Sequence, residues 1–467
     1  MGERALRWMP TALVTVLLGW IAARAARPVN DPDAWWHLRL GNDLIDQRSL
    51  STPDHWSAFA TVHWVPTEPL PEIVAAYVDR WWGLPGLAVL YDVAGAAVVL
   101  GAYLVCRRRS AALPAAVTCV LVVLAASASL TSRPQLVSFV LLPVVIDAWL
   151  RTEEDQRTRW WLVPLVWAWS LCHGFWFLGA AYGFVFVAGF ALSRRMPWPV
   201  VARQAVVAVA SFAVVVLNPV GLGVIEAPFR VNDTSQFIQE WARTDLTSPS
   251  ALGALVMVLG TAAVWLVRRR GVSWAHLLVL LSAAFWIWYA GRTVAVAGLV
   301  VAPLLAAALD GLLADRDEHT DPPRRSREAT VLGAVALVIA AVVVAAAPAV
   351  ADRPGDVPTA LDPALDRLPP GTRVFNAYEL GGWLAWRHPD LEQYIDGLIT
   401  PYSARHAQDY VDATSTAPGW PRIVDRSGAS AALLPQGSPL ALGLSRRGWR
   451  SVGRDDGYVL LETPAVG

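Results

Sequence analysis

The sequence predicts a polytopic α-helical membrane protein with a small extracytoplasmic α/β domain at its C-terminus. Three observations predict it. Of 467 residues, 55% are hydrophobic and only 16% charged, whereas soluble domains sit nearer a quarter charged. The apolar residues gather into runs close to the ~20 needed to cross ~30 Å of hydrocarbon. Arginines fall on alternate loops between those runs, the pattern expected of cytoplasmic loops.

The runs lie near 10–26, 84–105, 111–130, 134–150, 160–172, 174–193, 199–217, 251–267, 272–289, 293–313 and 329–350, about eleven spans in all. The first reads as a span, or alternatively as a cleaved leader, since Arg4 and Arg7 precede a short apolar core and Ala23-Arg24-Ala25 resembles a cleavage site. With the N-terminus inside, the inner loops hold Arg107–Arg109, Arg151, Arg157, Arg159, Arg194, Arg195, Arg268–Arg270, Arg316, Arg324, Arg325 and Arg327. The short outer loops keep little more than Arg133 and Arg292. The expected topology is N-in and C-out. Residues 1–350 then form the membrane domain, with outer loops 27–83 and 218–250, and residues 351–467 form the tail domain.

Several function classes drop out. Net charge is +0 over 38 basic and 38 acidic residues, so whole-molecule steering of a polyanion such as a nucleic acid is not expected. The three cysteines each sit in an apolar run and build neither a disulfide framework nor a thiolate metal site. Chemistry is expected outside or within the bilayer, because the inner loops are short.

The first outer loop is the richest segment. Asp31-Pro32-Asp33-Ala34-Trp35-Trp36-His37-Leu38-Arg39 puts two carboxylates, a histidine and an arginine just after a membrane exit. A carboxylate here could serve as general base or hold a divalent metal. The competing reading makes Asp33 the cap of an interfacial helix over 34–45, with Trp35 and Trp36 as belt aromatics. Further on, Glu68 and Glu72 are four apart and share one face of a second interfacial helix over 68–82, with Pro69 and Pro71 in its first turn. A solvated face explains these acids more readily than chemistry does.

Span ends supply the remaining ionisable groups. Arg133 and Arg292 suit a lipid phosphate at the outer leaflet, or ordinary headgroups. His173, beside Gly174, reads as a buried, satisfied histidine or as a site residue. In the second outer loop Asn218-Pro219-Val220-Gly221 is a helix stop, and Glu240-Trp241 is a pair that could face a sugar ring. The tail alternates strands near 373–375, 393–395, 431–434 and 458–461 with helical stretches such as 402–413.

Taken in order, these landmarks resemble one group of bacterial polytopic membrane proteins: Trp35-Trp36-His37-Leu38-Arg39-x-Gly41, Ser132-Arg133-Pro134-Gln135, Trp169-x3-His173-Gly174, Asn218-Pro219-x-Gly221, Glu240-Trp241, Asn376-x-Tyr378-x2-Gly381-Gly382-Trp383 and Asp396-Gly397. That group in turn resembles the GT-C superfamily of glycosyltransferases, which use polyprenyl-phosphate sugar donors. The superfamily carries an acidic pair in its first outer loop, where Asp31 and Asp33 stand here. The resemblance implies that one of the two is the catalytic base and that outer-end arginines hold the donor phosphate. Where the family reads Asp-Gly-Arg, this chain has Asp396-Gly397-Leu398, which weakens a charged site in the tail.

In the tail, Gly381-Gly382 and Asp396 are explained by a tight turn and a cap; alternatively Asn376, Tyr378 and Asp396 roof the membrane site and help choose the acceptor. The expected activity is inverting transfer of a sugar to a cell-envelope glycan or lipid, on the outer face of the bacterial cytoplasmic membrane. Trp36, His37, Arg39, Glu68, Arg133, His173, Glu240, Trp241, Arg292, Asn376, Tyr378 and Asp396 are the expected substrate-binding residues. A metal, Mg or Mn, would fall to Asp31 and Asp33. The alternatives are a transporter or flippase, for which Asp92 and Asp147 are the intramembrane acids, and a scaffold for envelope assembly.

Overall fold

A computed structural model describes residues 3–50, 56–227, 241–268, 271–314 and 325–464. The chain divides into two units. One comprises Met1–Arg27, Ala88–Ile225 and Gln239–Ala349; the other comprises Pro28–Leu87, Glu226–Ile238 and Val350–Gly467. Along the chain the first helices are α1 (Glu3–Ala25), α2 (Pro32–Gln47), α3 (Pro69–Trp82), α4 (Leu84–Arg107), α5 (Ala112–Ala126), α6 (Gln135–Asp155) and α7 (Leu162–Trp169). They are followed by α8 (Trp176–Ser193), α9 (Trp198–Ala213), α10 (Pro249–Arg268), α11 (Trp274–Tyr289), α12 (Val294–Ala314) and α13 (Arg325–Val350).

The first unit is the membrane part. Among the described residues eight helices are long and apolar enough to cross a bilayer: α1, α4, α6, α8, α9, α10, α12 and α13, two of them with an adjoining 3-10 turn. α5 and α11 are apolar but shorter, at 15 and 16 residues. Near 160–172 the chain makes only the eight-residue α7, stops at a turn and restarts at Trp176. Lipid provides no hydrophobic drive between helices, so close packing of small residues must hold them. Gly189 of α8 lies against the Ala275 backbone of α11, where a Cβ would overlap it, and Gly298 of α12 lies against Ala125 of α5. Asp147 of α6 pairs with Arg108 and with Arg109, the latter at 3.7 Å, so this acid is ion-paired with the two arginines that follow α4.

The second unit holds α2, α3 and the tail. His37 faces Glu68 and Glu72, while Asp46 faces Arg80. The pairings rise together along both helices, so α2 and α3 run side by side in one direction. The tail is a five-stranded mixed sheet in the order β2-β1-β3-β5-β4, from β1 (Arg373–Asn376), β2 (Glu392–Gln393), β3 (Ala431–Pro435), β4 (Arg450–Asp455) and β5 (Tyr458–Glu462). β1 is parallel to β2 and β3, and β5 is antiparallel to β3 and β4. The tail helices are α14 (Gly381–Arg387), α15 (Ala404–Thr414), α16 (Trp420–Ser427) and α17 (Pro439–Arg446). The α/β reading of the tail holds, with one strand more than the apolar pattern gives. β4 is an exposed edge strand without apolar periodicity, closed onto β5 by Asp456-Gly457, both at positive φ.

Candidate functional site

The first site residues belong to the start of α2. Pro32 occupies the first helical turn, where its missing N–H costs nothing, and this fixes Asp31 as the cap. The Asp33 N–H donates to Asp31 Oδ1 at 3.1 Å. The expectation that Asp33 caps the helix is therefore corrected: Asp31 does, and it is buried. Asp33 lies in the first turn and is half-buried.

Asp33, His37 and Gly41 recur every fourth residue and share one face of α2. A Cβ at Gly41 would overlap the Glu72 carbonyl oxygen, so the glycine lets α3 press directly onto α2. One turn earlier this approach puts His37 Nδ1 2.8 Å from Glu72 Oε1 and His37 Nε2 3.6 Å from Glu68 Oε2. Glu72 is 1% exposed, which corrects the solvated-face reading for this acid. Burial first, and then the neighbouring Glu68 carboxylate, push its pKa well above the ordinary range. His37, Glu68 and Glu72 offer ligand atoms all within 4.8 Å of one another, a grouping able to hold a metal ion.

Gly397 borders the Asp33 carboxylate. A Cβ there would fall on Asp33 Oδ1 and stand 3.2 Å from Trp36 Nε1. The Trp36 indole N–H is buried and has no hydrogen-bond partner among the described residues. The Asp33 carboxylate and a buried indole donor thus both lie against Gly397, in space that a side chain at 397 would occupy. Sequence reasoning took Gly397 as part of a motif and assigned it no role.

Residues behind Gly397 hold its loop. Asp396 is fully buried and accepts from the Leu398 N–H at 3.0 Å, the Tyr402 hydroxyl at 2.9 Å and Gln393 Nε2 at 3.1 Å. Burial, and then Asp396, raise the Tyr402 pKa well above its usual value. Asn376 Nδ2 donates to the carbonyls of Ala377 and Ile395, and its Oδ1 accepts from the Tyr394 N–H, all at 2.8 Å. Tyr378 donates its hydroxyl to the Gly397 carbonyl at 3.2 Å. Gly381 and Gly382 have a different purpose from a turn: Gly381 is helical (φ −62°, ψ −43°), and a Cβ there would overlap the Ile395 carbonyl. A Cβ on Gly382 would stand 3.0 Å from the Pro32 carbonyl. Leu398, where the family pattern has arginine, packs against the apolar cluster of Trp36, Leu40, Leu44 and Trp64. Arg39 points along α2 instead, to Asp43 at 3.3 Å and the Ala385 carbonyl at 3.4 Å.

The membrane unit contains a second group. Arg292, in the 3-10 turn before α12, lies over the rings of Phe175 (5.9 Å) and Trp241 (5.8 Å). His173, in the turn between α7 and α8, takes the Phe175 N–H on Nδ1 at 3.1 Å, with the Ser138 Oγ at 2.9 Å from the same atom. Burial, and then Arg292, hold this imidazole well below its usual pKa. Ser138 accepts in turn from Trp169 Nε1 at 2.7 Å. Asn218 braces the turn by donating to Ser170 Oγ at 2.9 Å and accepting from the Val220 N–H. Arg133 stands two residues before α6, next to its cap Pro134, and is half-buried. Phe175 was not singled out from sequence. Glu240 lies outside the described residues.

No family model matches the chain, and no curated protein is similar to it in sequence. Solved structures are. Over 100% of this chain and 99% of the other, it is similar to ArnT from Cupriavidus metallidurans bound to undecaprenyl phosphate (15% identity, TM-score 0.53). Over 93% of this chain and 70% of the other, it is similar to the archaeal oligosaccharyltransferase AglB from Archaeoglobus fulgidus in complex with an inhibitory peptide and a dolichol-phosphate (12%, 0.57). The same archaeal enzyme in complex with Zn and sulfate aligns over 90% and 68% (14%, 0.55). The fold is shared. The likeness is one of fold: a multi-pass helical membrane part and a small α/β domain.

Proposed function

We propose that the chain is a membrane glycosyltransferase of the GT-C type. It moves a sugar from a polyprenyl-phosphate donor to a cell-envelope glycan or lipid, with inversion, on the outer face of the bacterial cytoplasmic membrane. The observation that carries the reading is the Asp33 carboxylate, held in the first turn of α2 against Gly397, where no Cβ fits, and near the buried Trp36 indole N–H. Fold alone would not assign an activity. The solved relatives with dolichol-phosphate and undecaprenyl phosphate support the donor class, and the arginine distribution supports an extracytoplasmic site.

In the proposed step the acceptor hydroxyl oxygen attacks the anomeric carbon, the bond from that carbon to the phosphate oxygen breaks, and polyprenyl phosphate leaves with the bonding pair. The hydroxyl proton passes to Asp33. Phosphate departs without being protonated, so one base suffices. Trp36 Nε1 orients an oxygen of the bound sugar. Asp31 is a positioning residue, because its carboxylate is engaged as the cap. In the membrane unit Arg292, stacked on Phe175 and Trp241, has the planar fork that suits a phosphate monoester, with Arg133 as a second cation.

The test is sugar transfer in lipid nanodiscs supplied with polyprenyl-phosphate sugars and an envelope lipid extract. Asn caps helices as well as Asp, so Asp31→Asn is expected to keep transfer within about tenfold of wild type. Asp33→Asn is expected to lower it by about 10²–10⁴-fold, the range for loss of a general base. Equal activity of Asp33→Asn and wild type would remove Asp33 as the base. No transfer by the wild type from any donor would remove the transferase reading.

A further inference from the structure

The geometry points to a lipid-phosphate site at the end of α11, with the Arg243 guanidinium over Trp288 as its cation and one face of α11 as the wall for the lipid chain. The site lies within the membrane unit and does not rest on the transferase reading. Three observations build it.

The first is a cation without a counter-charge. Arg243 is exposed and lies over the Trp288 ring at 5.8 Å. Among the described residues no carboxylate comes within ion-pair distance of it and no acceptor within hydrogen-bond distance. Asp245, two residues on, accepts instead from the Thr247 N–H at 2.9 Å and the Thr247 hydroxyl at 2.6 Å. A guanidinium stacked on a ring keeps its N–H edge for a planar pair of acceptors, and two phosphate oxygens match that fork.

The second is the surface along the helix. Leu281, Phe285 and Trp288 recur at i, i+4 and i+7, share one face of α11 and are all exposed, Trp288 being 61% so. Trp288 stands in the last turn, so Arg243 caps the end of this apolar face. A cation at the end of an apolar stripe matches an amphiphile with an anionic head. A water-soluble phosphate gains nothing from the stripe, whereas a lipid uses both parts. The arginine pattern of the loops puts this end of α11 outside, where Trp288 is a belt aromatic.

The third is the frame. The Gly291 N–H donates to the Ala242 carbonyl at 3.1 Å and ties the segment carrying Arg243 to the turn carrying Arg292. On that frame Arg292 is half-buried over Phe175 and Trp241, while Arg243 is exposed over Trp288. One backbone pairing thus holds two stacked arginines, one against the protein interior and one against the bilayer. A phosphate-headed lipid diffusing in the leaflet reaches Arg243 first.

Lipid binding decides the matter without any sugar transfer, so it can fail while the transferase reading survives, and the reverse. The delipidated full chain in detergent is titrated with undecaprenyl phosphate, undecaprenol or phosphatidylglycerol, and bound lipids per chain are counted by native mass spectrometry. Arg243→Gln is expected to weaken one binding step for the phosphate-bearing lipids about tenfold, with the melting temperature unchanged. Arg243→Lys should recover part of the loss. Trp288→Leu keeps the apolar face but removes the stacking ring, and should weaken the same step. Arg292→Ala should leave that step in place. Added salt should weaken it more in wild type than in Arg243→Gln. Preference for undecaprenyl phosphate over phosphatidylglycerol would support the site with a polyprenyl carrier as occupant; equal binding would support it with ordinary headgroups. Undecaprenol bound as tightly as undecaprenyl phosphate, an Arg243→Gln titration indistinguishable from wild type, or loss of the same step in Arg292→Ala would each overturn the site.

Discussion

Replacing Gly397 by alanine isolates the placement of the Asp33 carboxylate from its chemistry. The added Cβ would fall on Asp33 Oδ1 and stand 3.2 Å from Trp36 Nε1. Carbon and oxygen rest at roughly 3.5 Å, so the carboxylate or the loop must retreat by about 1 Å. A misplacement of that size costs about 10²-fold in rate when the displaced group acts in the transition state. Overpacking of this kind costs about 1–3 kcal/mol of stability, which leaves a folded protein. The assay is initial rate of sugar transfer over a range of donor concentrations, with a thermal melt of the same preparation. The expected result is kcat lowered about 100-fold with donor KM within a few fold of wild type. A double variant adds a sharper criterion. If Gly397→Ala acts through Asp33, then Gly397→Ala with Asp33→Asn should be no slower than Asp33→Asn alone. Activity of Gly397→Ala within about threefold of wild type, or fully multiplicative losses in the double variant, would refute the reasoning.

Gly41→Val should push α3 off α2 through the Glu72 carbonyl, lowering stability by about 1–3 kcal/mol, as read by thermal melting. Arg292→Ala should raise donor KM at least about tenfold, while Arg292→Lys restores charge but not the planar fork over Phe175 and Trp241 and should recover only part of the loss. Asp396→Asn presents an amide N–H toward three donors, from Leu398, Tyr402 and Gln393, and should destabilise by about 1–3 kcal/mol in denaturant titration. Tyr402→Phe removes one of those donors and should cost less than Asp396→Asn.

What could be read from the sequence divides along a physical line. A crossing helix announces itself locally, because about 20 adjacent residues must all tolerate lipid; hence the apolar runs coincide with helices, and the broken one near 160–172 is short in both accounts. The cap of α2 was also local, and it was missed because two aspartates compete for the part; Pro32 decides between them, since proline is placed well only just inside the helix. β4 lacked apolar alternation, yet Asp456-Gly457 is a strong hairpin signal and would have found it. The glycines of the site are different. Gly41, Gly381 and Gly397 each exist for an approach to atoms elsewhere in the fold: the Glu72 carbonyl, the Ile395 carbonyl and the Asp33 carboxylate. The two whose dihedrals are at issue as turn residues, Gly381 and Gly382, lie in a helix, so conformational preference gave no clue to them. The same holds for Glu72, which looks like a solvated acid in its own helix and is buried where α3 presses its backbone onto Gly41. A glycine whose backbone needs no glycine is therefore the mark to look for: at each of these positions it identifies the neighbouring carboxylate or carbonyl whose position the fold protects.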